Sequence, residues 1–200
     1  VPFVTDDGLA ALVAARLCHD LISPLGAIGN GVELLALEGR AAGPELSLVT
    51  EAVAQASGRL RLMRLAFGAA GAGQRIGAAE VRAILAGALR GGRLAVAWEV
   101  EGEVPRPEVR LALLAILCLE AALPRGGRIV VGAAGGRWRI EAAGPRLRPE
   151  AGPFAALSTP EGPGEIAAGT VQFALLHAGA AALGRRIEAS LGETAGRIVF

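Results

Sequence analysis

The sequence predicts an α+β fold in two parts. Residues 1–70 form a helical hairpin that pairs with a second copy into a dimeric four-helix bundle, and residues 71–200 form an α/β two-layer sandwich. Three observations carry this reading. Apolar residues recur every three or four positions as far as Phe67. The small-residue run Gly68-Ala69-Ala70-Gly71-Ala72-Gly73 then breaks the pattern. Beyond it, short β-branched runs alternate with helical ones.

The first helix is predicted from Asp6 or Asp7 to Leu37: an acidic first turn, then Leu9, Val13, Leu17, Leu21, Leu25, Ile28, Val32 and Leu35 as a core-facing stripe. Pro24 falls inside it, where a proline removes one hydrogen bond and bends the axis. A turn over residues 38–43 leads to Pro44, a residue suited to a first helical position, and to a second helix bearing Leu46, Val49, Val53, Ala56, Leu60, Met63 and Phe67. Two such helices cannot cover their own apolar faces, so a homodimer is expected.

After the linker the expected order is αβαββαββ: a helix near Ala78–Leu89, a strand at Arg93–Val100, a helix at Pro107–Leu123, and strands at Arg128–Ala133 and Arg137–Ala142. Gly135-Gly136 makes the hairpin turn between the last two. A Pro- and Gly-rich loop from Gly144 to Gly169 precedes a helix at Thr170–Leu183 and strands at Arg185–Ser190 and Gly196–Phe200. Helices on one face of a mixed, mostly antiparallel sheet satisfy this order.

Composition removes much familiar chemistry. The 200 residues are 52% apolar and 20% charged with formal charge +1, the signature of neither a disordered tail nor a nucleic-acid binder. All 20 basic residues are arginine, so there is no P-loop lysine, Schiff-base lysine or kinase β3 lysine. Asn30 is the single asparagine, and Asp6, Asp7 and Asp20 are the only aspartates. Two cysteines, Cys18 and Cys118, make no disulfide framework or zinc site and fit a reduced, cytoplasmic setting. No secretory signal is visible. The apolar stretch Ile166–Gly184 carries Thr170, Gln172, His177 and several glycines, so it reads as a buried helix rather than a membrane span.

At about 100° per residue, His19 falls opposite the Leu17/Leu21/Ile28 stripe and shares its face with Leu12, Ala15, Arg16, Ile22, Ser23, Gly26 and Asn30. An imidazole there faces solvent among small neighbours. A large partner can reach it, with Leu12 and Ile22 as part of a docking patch. Position alone favours an ordinary solvated histidine, and it is the immediate sequence that shifts the balance. Cys18 points elsewhere, as a buried small apolar residue, and His177 reads as structural within an Ala- and Leu-rich helix.

The run His19-Asp20-Leu21-Ile22-Ser23-Pro24-Leu25 resembles the H-box of sensor histidine kinases. Neutral imidazole is a good nitrogen nucleophile, and an adjacent carboxylate can fix its tautomer. The later elements resemble the ATP-binding Bergerat domain of the same kinases, with Leu111 to Val130 similar to the N-box helix and following strand. That segment has no asparagine for magnesium and phosphate, and Glu141 to Pro145 stands where the family's adenine-reading aspartate motif belongs. Gly162-Pro163-Gly164 resembles a remnant of the glycine-rich lid. The resemblance therefore implies a degenerate domain that binds no nucleotide and serves as scaffold.

A kinase-like bundle joined to such a domain resembles the bacterial histidine phosphotransferases of the ChpT type, most specifically over Arg16 to Leu35. The resemblance implies a homodimer that moves phosphoryl groups from the receiver domain of a hybrid histidine kinase to downstream response regulators, some controlling the cell cycle. His19 would become phosphohistidine, Asp20 would orient it and Ser23 would hydrogen-bond nearby. Leu12, Arg16, Ile22, Gly26 and Asn30 would form the partner-binding face, although Arg16 equally fits a solvated charge and Asn30 better fits helix-surface packing. No cofactor is expected, the receiver bringing its own magnesium; neither nucleic acid nor membrane is expected as a partner. Two other readings stay open: a non-catalytic dimeric adaptor for response regulators, and an atypical ATP-dependent kinase core using Glu120 or Glu141.

Overall fold

A computed structural model describes residues 6–37, 44–71, 73–164 and 167–200. Within these, the side chains at 6–13, 15–20, 24, 36, 44, 45 and 151 lie outside the description. The chain divides into two compact units, Val1–Ala69 with Ala83–Gly91, and Ala70–Arg82 with Gly92–Phe200.

The first unit contains α1 (Asp6–Leu37) and α2 (Pro44–Phe67). Helix α1 continues through Pro24, and Val53 Cγ1 comes within 3.5 Å of where a Cβ on Gly29 would sit. The third helix, α3 (Ala78–Ala88), contributes its C-terminal part to this unit. It meets α2 at a crossing of glycines: Gly58 lies against the backbone of Gly87, leaving no room for a side chain at 58. Nearby, Gln55 Nε2 donates to Arg90 O at 3.2 Å.

The expected apolar stripe divides in the structure. Val32 is buried, whereas Leu21, Ile28 and Leu35 are 50%, 49% and 44% exposed in the single chain. These three recur every seven residues and so form one ridge along α1. Leu9, Val13, Leu17 and Cys18, also assigned to the interior by the sequence, have side chains outside the described residues.

The second unit has two sheets. Strands β1 (Arg75–Gly77) and β3 (Glu103–Pro105) form a small antiparallel pair, with Ile76 opposite Val104. The sequence did not predict either strand, because three residues are too few to show alternation. The main sheet has the order β2-β4-β5-β7-β6, built from β2 (Leu94–Trp98), β4 (Gly127–Ala134), β5 (Arg137–Ala143), β6 (Glu188–Leu191) and β7 (Ala195–Val199). Among the described residues only β2 and β4 run parallel; the other pairings are antiparallel, as expected.

Helix α4 (Arg106–Ala121) covers one sheet face, and α5 (Val171–Ala182) packs on α4. Residues Leu111 to Leu119 are buried without interruption, so α4 is apolar on every side, as a helix between two layers must be. Inward from the sheet come Ile129, Val131, Trp138, Ile140 and Ile198, and from α5 Phe173 and Leu176, all buried. The predicted strand at Arg185 starts later, at Glu188. Gly184, at φ +66°, turns the chain, and Arg185 N caps α5 by donating to Ala180 O at 2.9 Å. The long loop before α5 holds 3-10 turns at Pro149–Ala151, Ala155–Ser158 and Ala168–Thr170. Among the described residues no helix is long and apolar enough to cross a membrane.

Candidate functional site

Position 19 lies well inside α1, so its backbone is held by helical bonds on both sides. The side chains of Leu12, Arg16, His19 and Asp20 lie outside the described residues. Their helical face continues through residues that are described. Ser23, Gly26 and Asn30 are exposed and Ile22 is half-buried. A Cβ added at Gly26 would find nothing within 4 Å. The surface one to three turns beyond position 19 is thus low and open, with one partly sheltered apolar side chain beside it.

The segment read as an altered nucleotide site begins on α4, against which α5 packs. A Cβ on Gly179 would sit 2.7 Å from Leu111 Cδ2, so the backbone of α5 rests directly on α4. Burial pushes the Cys118 thiol on α4 well above its ordinary pKa, as low polarity disfavours the thiolate. Glu120 stands at the end of α4, on the helix-covered side of the sheet, whereas Glu141 is exposed on the opposite side. The structure therefore does not bring these two carboxylates together.

Gly162, in the lid-like loop, has φ +69° and packs against the imidazole of His177. His177 Nε2 is 3.0 Å from Thr159 O, and Gly162 N donates to the same carbonyl at 3.2 Å. In this geometry His177 clasps the loop onto α5. Sequence reasoning missed a second polar network at the start of α4. Glu108 Oε2 accepts from Trp138 Nε1 at 2.8 Å, and its Oε1 accepts from Arg185 Nη2 at 2.7 Å. Arg185 also donates to Gly136 O. The only signal in the sequence was an acidic residue in a first helical turn, which has a commonplace explanation.

Residues 78–195 match the histidine phosphotransferase C-terminal domain. The chain belongs to the histidine phosphotransferase family. Consistent with that membership, it is 40% identical over 129 residues to the protein phosphotransferase ChpT of Brucella abortus (strain 2308). The alignment covers 64% of this chain and 61% of that relative. The fold is also similar to that of a bacterial phosphotransferase solved at 1.7 Å, with a TM-score of 0.66 and 27% identity over 97% of this chain and 95% of the other.

Proposed function

We propose that this protein is a phosphorelay phosphotransferase that carries a phosphoryl group on His19 between receiver-domain aspartates. The observation that carries the reading is the H-box-like run from His19 to Leu25 within an unbroken helix whose continuing face, at Ser23, Gly26 and Asn30, is open. Family membership supports the same reaction class.

The neutral Nε2 of His19 attacks the phosphorus of a receiver's aspartyl phosphate in line. The P–O bond to that aspartate breaks, its electron pair returning to the carboxylate, as the N–P bond forms. Asp20 accepts the Nδ1 hydrogen and balances the charge on the ring. Attack by a second receiver's aspartate on the phosphohistidine completes the transfer. Magnesium comes with the receiver. Ser23 hydrogen-bonds beside the ring, while Leu12, Arg16, Ile22, Gly26 and Asn30 contact the visiting domain.

The protein works as a cytoplasmic homodimer without ATP. Half-exposed Leu21, Ile28 and Leu35 support pairing, because a single hairpin leaves this ridge in water. The lack of asparagine from Leu111 to Val130 and the separation of Glu120 from Glu141 support the absence of a nucleotide step.

Incubation with a phosphorylated receiver tests the proposal. Acid-labile, alkali-stable label should appear on the chain, vanish in His19→Ala and persist in His177→Ala. A stable complex without label would leave an adaptor instead, and tight binding of Mg-ATP by calorimetry would revive a kinase.

A further inference from the structure

We propose that the helix-free face of the main sheet docks an acidic amphipathic helix of a partner protein. Among the described residues α4 lies on one side of the sheet, and the alternate residues of each strand form a second face without a helix. On a face that meets water these positions are ordinarily polar. Here Ala95, Ala97, Val130, Gly132, Ala143 and Ala195 share them with four arginines, two glutamates and Ser190, outward from the buried Trp98, Ile129, Val131 and Ala142. The floor is low enough to form two grooves, of about 430 and 720 Å³, that meet at Arg197.

Four arginines rise from this floor. Arg137 pairs with Glu188 at 2.8 Å and Arg139 lies 3.8 Å from Glu141. Among the described residues, Arg128 and Arg197 have no carboxylate partner. Glu141, opposite Arg197 across the β5–β7 pair, and Glu188 offset part of this charge, and the net positive charge left over small residues is complementary to a ligand with one apolar side and carboxylates along its edge.

The register sets the spacing. Arg128 is opposite Ala143, and Arg197 is opposite Glu141, which places the arginines two strands apart and one pleat repeat out of line. Strand geometry then separates their Cα atoms by roughly 12 Å. Carboxylates at i and i+7 of a helix stand about 10.5 Å apart, a span two arginine side chains can bridge. A helix so placed covers the side of the sheet opposite α4. Addition of a strand at an edge is disfavoured, because both edges are engaged. Arg82 donates to Trp98 O at 3.0 Å and Val100 O at 3.2 Å beside β2, and the Ala189 amide of β6 donates to Ser158 Oγ at 3.0 Å.

The test uses the full chain and a fluorescein-labelled helical peptide of about 18 residues, with leucine and alanine on one side and glutamates seven positions apart. Fluorescence anisotropy should show saturable binding that weakens about tenfold or more in the Arg128→Glu/Arg197→Glu double variant. Circular dichroism of that variant should match the parent, since both arginines are exposed. In the unmodified protein, amide shifts on binding should centre on β4, β5 and β7. Absence of saturation at about 1 mM peptide, equal affinity in the double variant, equal binding of a lysine-for-glutamate peptide, or shifts centred on the hairpin would each overturn the proposal.

Discussion

The Glu108 carboxylate accepts a 2.8 Å hydrogen bond from the indole N–H of Trp138, joining the first turn of α4 to the middle of the sheet. Arg185 holds the other oxygen at 2.7 Å, with both charged side chains largely withdrawn from water. One carboxylate thereby ties α4, β5 and the α5–β6 turn together. Trp138 also packs on Trp98 and Phe200, at centroid separations of 5.5 and 6.2 Å. Glu108→Ala leaves an indole and a guanidinium without their acceptor and should cost about 1–3 kcal/mol. Urea unfolding should show a lower midpoint at unchanged slope. Trp138→Phe removes the indole bond and shrinks the ring, and a double-mutant cycle with Glu108→Ala should show coupling.

Two helical glycines should respond in opposite directions. At Gly58 a methyl would enter the backbone of Gly87, so Gly58→Ala should destabilise by about 1–3 kcal/mol through overpacking. At Gly26 the space is open, and Gly26→Ala should stabilise by about 0.5–1 kcal/mol through helix propensity. Thermal unfolding of the two variants checks the signs. Slower phosphotransfer in the stabilised Gly26→Ala protein would mark that face as the docking face.

Leu21 and Ile28 should carry the dimer. Leu21→Asp with Ile28→Asp places two charges on the exposed ridge and should reduce the light-scattering mass from two chains to one at micromolar concentration. Leu48, exposed on α2, serves as the control: Leu48→Asp should change the mass less than the paired substitution does.

Asp20→Asn should retain labelling at His19 but slow it by about 10- to 100-fold, since an amide can hold the ring without matching the carboxylate's charge. Rapid-quench kinetics with a phosphorylated receiver measures this. An unchanged rate would remove Asp20 from the reaction.

Cys118 should be inert to thiol reagents in the folded protein and react on unfolding, a contrast made readable by Cys18→Ser. Its folded thiol ionises only well above the ordinary range, because burial opposes the charge. The sign follows from proton binding: at high pH the unfolded thiol ionises first, so folding stability is complete below the ordinary thiol pKa and declines as pH rises past it. Unfolding midpoints at rising pH should fall less steeply in Cys118→Ala than in the parent.

Much of the architecture was legible because long helices and the sheet strands bury regular sets of side chains. Both hairpin helices, α4, and the β4-β5 hairpin at Gly135-Gly136 stand near where periodicity and turn chemistry put them. The short β1-β3 pair was not legible, since its strands exist only through pairing across residues 75–105. The proposed site rests on one stretch of sequence. The run from His19 to Leu25 suggests the proposed nucleophile and its neighbour, but local sequence carries no record of what a helix face meets in three dimensions.

The sequence by itself determined which chemistry is possible: a lone imidazole beside a carboxylate on a long helix, in a chain without lysine and without aspartate beyond Asp20. Tertiary structure decided which groups stand together. It put Glu108 within reach of Trp138 and Arg185, set Glu120 and Glu141 on opposite sides of the sheet, and left Arg128 and Arg197 on its bare face. The physical reason is range. Periodicity and local bonding act over a few residues, while burial and charge pairing depend on neighbours that the chain brings together only when it packs.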